Sequence, residues 1–166
     1  VAIDGKEWLQ PADFVGYTFG QVNAVCPSGA CSGSLPGSTF DLTGYTWASI
    51  MDVSSLFNAY GASPPFTESF QERYDDPNLN PYIALDFEIT DRACYGDCPV
   101  DLLYITGMVR EPTPGAEVYA PSITYIDANW PPLPTEIFFD NTGLGDFTGS
   151  LDTTGIWFWR PAQNPD

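Results

Sequence analysis

The chain has 166 residues, with 22 Asp+Glu against 5 Lys+Arg, no His and a formal net charge of −17. Without imidazole it lacks the side chain that ordinarily titrates near neutrality, which excludes a Ser-His-Asp triad, a Cys-His pair and a His-rich metal site. The acidity repels phosphate backbones and anionic headgroups, so nucleic acid is excluded as a partner, and no apolar run approaches the roughly 18 residues of a bilayer span.

The length suits one domain with a single core, expected over residues 1–160, with 161–166 as a polar tail. A hydrophobic content of 43% and an aromatic content of 15% oppose charge-driven disorder. The 15 Gly and 16 Pro favour strands and loops over a helical bundle. A start at Val1 rather than Met suits a mature chain after removal of a signal peptide.

In chain order, residues 3–10 read as a first strand ending at Pro11. A helix follows over 17–26, where Thr18 and Gln21 have capping-box spacing. Residues 27–41 are a Ser/Gly/Pro-rich loop, and Tyr45 and Trp47 share one face of a short strand. Ser49 is then the N-cap of a second helix, with Asp52 in its first turn, an apolar stripe of Val53, Leu56, Phe57 and Tyr60, and Gly61 as the stop. A Pro/Asp/Asn-rich loop over 62–81 leads to a strand over 82–90, with Ile83, Leu85, Phe87 and Ile89 on one face. Further strands are expected at 102–110, 117–126, 135–140 and 155–160.

The last of these strands is apolar on both faces, with Trp157 and Trp159 on one and Ile156 and Phe158 on the other, which implies burial on both sides, either within the fold or at an interface. Trp8, Trp47, Trp157 and Trp159 are expected in the core, whereas Trp130 stands in a Pro-rich loop where a ring can stack on a sugar or a partner.

The four Cys fall into two tight pairs, Cys26 with Cys31 and Cys94 with Cys98. Even count, turn-rich intervals and short spacing point to two local disulfides in an oxidising compartment; four thiolates around zinc are the alternative. The segment Asp75-Asp76-Pro77-Asn78-Leu79-Asn80 offers the side chains of Asp75, Asp76, Asn78 and Asn80 as oxygen ligands for Ca²⁺, a hard cation that takes six to eight oxygens. The competing reading is a solvated turn, since Asp, Asn and Pro are all turn formers. No catalytic residue is assigned.

The strings Glu7-Trp8-Leu9, Gly44-Tyr45-Thr46-Trp47-Ala48-Ser49 leading into Asp52-Val53 and Leu56-Phe57, and Gly155-Ile156-Trp157-Phe158-Trp159-Arg160 resemble patterns of bacterial secreted C-type-lectin-like domains. They are similar to those of the Lcl C-terminal type and related surface proteins of aquatic bacteria. The resemblance implies an α+β fold in which terminal strands pair and two short helices flank a curled, mainly antiparallel sheet with long loops. Thr46-Trp47 stands where that family carries Arg before the helix, and both Cys pairs are local where animal C-type lectins use long-range bridges.

Glu111-Pro112 and Asp127-Ala128-Asn129-Trp130 resemble the calcium and sugar motifs of C-type lectins, which makes Glu111, Asp127, Asn129 and Trp130 the candidate ligand-binding residues. Fold does not fix function, so three classes stand. The first is a secreted, non-enzymatic adhesive or glycan-binding module at the bacterial cell surface, with Ca²⁺ as its cofactor and a glycan or protein as its partner. The second is a self-associating structural subunit of an extracellular filament. The third is a glycoside hydrolase working through two carboxylates.

Overall fold

The computed structural model describes residues 1–62, 65, 86–94, 101–110, 120–126, 136–140 and 154–163. These residues form an α+β fold with two α-helices and mainly antiparallel strands. The chain opens with a hairpin: β1 (Ala2–Ile3) pairs antiparallel with β2 (Lys6–Trp8), in the register Ala2↔Glu7 and Ile3↔Lys6. One strand over 3–10 was expected, but Asp4 (φ 49°) and Gly5 (φ 71°) both adopt left-handed backbone. Two consecutive residues of that kind reverse the chain in a two-residue turn, for which Asp-Gly is a preferred sequence.

Both helix starts are built as the sequence predicts. In α1 (Phe19–Val25) the Gln21 N–H donates to the Thr18 hydroxyl oxygen at 3.2 Å, and the Thr18 N–H donates to the Gln21 side chain at 2.8 Å. In α2 (Ile50–Ala59) Asp52 takes the reciprocal role with Ser49: the Asp52 N–H donates to Ser49 Oγ at 3.1 Å, and Ser49 N–H and Oγ–H donate to Asp52 Oδ2 at 2.9 and 2.7 Å. Val53, Leu56, Phe57 and Tyr60 are buried as a stripe. The helix ends in a Schellman arrangement, with Gly61 N–H bonded to the Asn58 carbonyl and Ala62 N–H to that of Phe57, while Gly61 takes φ 96°.

The remaining strands are β3 (Thr46–Trp47), β4 (Asp91–Cys94), β5 (Asp101–Met108), β6 (Ala120–Ile126), β7 (Glu136–Asp140), β8 (Gly155–Ile156) and β9 (Phe158–Pro161). The strand expected over 82–90 is corrected in its described part. Asp86 is helical, 87–90 is irregular, and the strand begins at Asp91. The Gln10 side chain explains the irregularity. Its amide donates to the Asp86 carbonyl at 2.9 Å, and its oxygen accepts from Glu88 N–H at 2.8 Å, so this stretch satisfies its backbone without a neighbouring strand.

The single curled sheet that the resemblance implied is also corrected, because the strands form two sheets. One has the order β1-β2-β9-β3; the other is the antiparallel meander β4-β5-β6-β7, with β8 pairing parallel to β5. Strands from the two ends of the sequence therefore pair, as β2 with β9. The segment β8–β9 joins both sheets: Trp157 N–H donates to the Met108 carbonyl at 3.2 Å, its own carbonyl accepts from Ala48 N–H at 2.8 Å, and the next carbonyl, that of Phe158, accepts from Leu9 N–H at 3.0 Å.

The two faces of that segment feed two cores. Trp157 belongs with Trp8, Phe57, Phe87 and Ile105, meeting Trp8, Phe57 and Phe87 edge-on at centroid distances of 6.1, 6.2 and 5.3 Å. Ile156 and Phe158 belong with Phe14, Val22, Trp47 and Met108. Burial of the doubly apolar strand is thus internal, and Trp8, Trp47 and Trp157 are core as expected, with Trp159 partly buried. Each such side chain stabilises by about 1.5–3 kcal/mol relative to an exposed one. Gly107 lies directly against the Trp157 ring, where a Cβ would stand 2.7 Å from Trp157 Cδ1.

Candidate functional site

Cys26 and Cys31 form a disulfide, and both are buried. It closes a short turn in which Ser28 (φ 58°) and Gly29 (φ 93°) are left-handed. Arg110 covers this turn, donating from its guanidinium to the Ser28 carbonyl at 3.1 Å, and a Cβ at Gly29 would stand 2.5 Å from Arg110 Nη1. The Arg110 N–H donates to the Ala48 carbonyl at 3.0 Å. The residue preceding Glu111 is therefore held at both backbone and side chain.

Cys94 ends β4. Cys98, Asp75, Asp76, Asn78, Asn80, Glu111, Asp127, Asn129 and Trp130 lie outside the described residues, as does most of the loop over 62–81. The described residues that border them are informative. Ile126, which precedes Asp127, pairs with Leu102 near the start of β5, whereas Arg110 follows the end of β5. At about 3.3 Å per residue these two anchors stand roughly 20 Å or more apart along the sheet.

The stretch that carries 75–80 leaves α2 after Ala62 and returns at Asp86. Its two ends are joined: Tyr60 O–H donates to Asp86 Oδ2 at 2.6 Å, and Gln10 holds the backbone on either side of Phe87. Burial pushes the Tyr60 hydroxyl pKa up, and the hydrogen bond to Asp86 and the carboxylate charge push it further.

Two ion pairs fix the opening hairpin. Lys6 Nζ donates to Asp52 Oδ1 at 2.6 Å and lies 4.2 Å from the Trp159 ring centroid and 5.6 Å from that of Trp8. Burial pushes the Asp52 carboxyl up, but the Lys6 ammonium and the Ser49 donors outweigh it and hold the group below its ordinary value. On the other face of β2, Arg160 bonds Glu7 through two nitrogens at 2.7 and 3.0 Å and places its guanidinium 4.7 Å from the Tyr45 ring centroid. That hydrogen bonding lowers the Glu7 pKa.

Lys6, Arg110 and Arg160 are thus each engaged by groups of the fold itself. Sequence reasoning identified Asp52 as a helix-start residue but not its pairing with Lys6, and it placed Tyr60 in the apolar stripe without foreseeing the anchoring contacts of Gln10, Tyr60 and Arg110. None of those contacts follows from a local pattern. Among the described residues, no three His, Cys, Asp or Glu side chains group to hold a metal, and no helix is long and apolar enough to cross a membrane. No family model matches the chain, and neither a curated protein nor a solved structure matches it.

Proposed function

We propose that the chain is a secreted, non-enzymatic interaction domain that binds glycans at a bacterial cell surface through its acidic segments, with Ca²⁺ as the bridging ion. The observation that carries this reading is the fixing of the frame where those segments meet it. Asp86 is held by Tyr60 and Gln10, and Arg110 by Ala48 and Ser28. Loops on a rigid scaffold bind with a smaller ordering cost. Candidate ligands on them are Asp75, Asp76, Asn78 and Asn80 for the ion and, as two separate sets because their anchors Arg110 and Ile126 lie at opposite ends of β5, Glu111 on one side and Asp127, Asn129 and Trp130 on the other for ion and sugar. Binding of cations and of neutral hydroxyl-rich ligands agrees with a charge of −17 in which the basic side chains of Lys6, Arg110 and Arg160 are engaged within the fold.

The Cys26–Cys31 disulfide supports the oxidising, extracellular setting. The filament-subunit reading loses one argument, since the apolar faces of residues 156–158 are spent inside the fold. A glycan array probed with and without chelator tests the proposal, and chromogenic glycosides run beside it test for hydrolysis. Calcium-dependent retention without turnover is the expected result.

A further inference from the structure

Phe40 keeps 41% of its surface exposed in a loop that is otherwise held fast. Its N–H donates to Ser38 Oγ at 3.1 Å, and Asp41 Oδ1 accepts the N–H and O–H of Thr43 at 2.9 and 2.6 Å. The N–H of buried Leu42 donates to the Gly33 carbonyl at 2.8 Å. The Phe40 ring packs on Phe14 and Tyr45 at centroid distances of 5.7 and 5.8 Å. Tyr45 in turn lies under the Arg160 guanidinium, which is bonded to Glu7. One patch therefore joins an exposed ring to an ion pair whose two side chains are each 34% exposed.

This patch has unspent hydrogen-bonding capacity. Tyr45 is only 6% exposed, yet among the described residues its hydroxyl has no hydrogen-bond partner, whereas buried polar groups ordinarily find one. Burial pushes its pKa up, the Arg160 charge opposes this and the Glu7 charge adds to it, so the hydroxyl stays protonated in the field of that pair. Two of the five N–H donors of a guanidinium go to Glu7, and each Glu7 oxygen accepts one of them and keeps a lone pair. A net charge of −17 disfavours an anion here, and the guanidinium disfavours a cation.

We propose that Phe40, Tyr45, Glu7 and Arg160 form a ligand site beyond the acidic segments, which takes the ring of a neutral pyranose without a metal ion. The sugar's weakly positive C–H groups meet the electron-rich Phe40 ring, and its hydroxyls donate to Glu7 and accept from Arg160 and Tyr45. One stacked ring on a prearranged patch holds with a Kd on the order of millimolar. That is too weak to survive the washing of an array, so retention there still depends on the acidic segments.

The test is saturation-transfer NMR on the full chain with methyl β-D-glucopyranoside and methyl β-D-galactopyranoside. Chelator is present throughout, which takes calcium binding out of the measurement and lets this site fail or succeed separately from the calcium-dependent one. Transfer to the sugar ring protons is expected, together with a shift of the Arg160 Nε–H resonance. Phe40→Ala should weaken binding about tenfold, and Tyr45→Phe, which removes only the hydroxyl, about threefold. No transfer to either sugar, or transfer that Phe40→Ala leaves intact, would overturn the proposal. Should Phe40→Ala not fold, Tyr45→Phe decides, and undiminished transfer in that variant would overturn it as well.

Discussion

Lys6 and Asp52 lie 46 residues apart in sequence and meet at 2.6 Å, and the same carboxylate that takes the lysine also closes the capping box of α2. One side chain therefore ties the opening hairpin to the first turn of a helix. Asp52→Ala should remove both functions and cost about 1–2 kcal/mol in urea unfolding, the range of a lost N-terminal cap together with a half-buried pair. Lys6→Met, which keeps the cap and the stem packing over Trp159, should cost less than half as much.

The pH dependence of that pair follows from its sign. The folded pKa of Asp52 lies below its unfolded value, so its contribution is complete above the ordinary carboxylate range of about 4 and is lost as pH falls through the lower folded value. Unfolding free energies measured down the acid limb should decline less steeply in Asp52→Asn than in the unaltered chain.

Tyr60 predicts the opposite limb. Its folded pKa is raised, so its contribution is present below the unfolded value of about 10 and disappears as pH rises beyond it. Tyr60→Phe should unfold more easily at neutral pH, by about 1 kcal/mol for one lost hydrogen bond to a carboxylate. It should also show a shallower loss of stability in alkaline solution.

Gly107 has no room for a side chain. Gly107→Ala should destabilise by about 1–3 kcal/mol, the usual cost of overpacking, because the added methyl meets the Trp157 ring rather than a flexible chain end. Tryptophan fluorescence of the folded variant should shift, since the displaced ring sits in the core that contains Trp8.

Cys26 and Cys31 should resist alkylation until reduced and unfolded, and replacing both with Ala should cost on the order of 2 kcal/mol by the loop-entropy argument. Alkylation of the unfolded, unreduced chain also tests the second expected bridge. Label at Cys94 or Cys98 would show free thiols there.

Much of the local structure was legible because it depends on neighbours in sequence. The pairs Thr18/Gln21 and Ser49/Asp52, the stripe Val53/Leu56/Phe57/Tyr60 and the stop at Gly61 each follow from spacing alone. Asp4-Gly5 carried a hairpin signal that a strand over 3–10 overrode. The alternation through Phe87 and Ile89 was misleading because Gln10, 76 residues away from Asp86, claims that backbone and leaves Ile89 exposed. Two sheets in place of one could not be read from patterning, since the division rests on Trp157 handing its backbone from β5 to Ala48. For the candidate site, composition marked the oxygen-bearing segments, whereas the residues that anchor their ends act across long stretches of chain.

The central claim is that this protein works by binding through its acidic segments. Its most direct test is retention of the full chain on a glycan array in millimolar Ca²⁺, repeated with chelator and with Asp75→Asn/Asp76→Asn and Glu111→Gln/Asp127→Asn variants. The account predicts selective retention that chelation abolishes and that at least one of the variant pairs loses while remaining folded. Retention of no glycan in Ca²⁺, or release of cleaved sugar from the array, would contradict it.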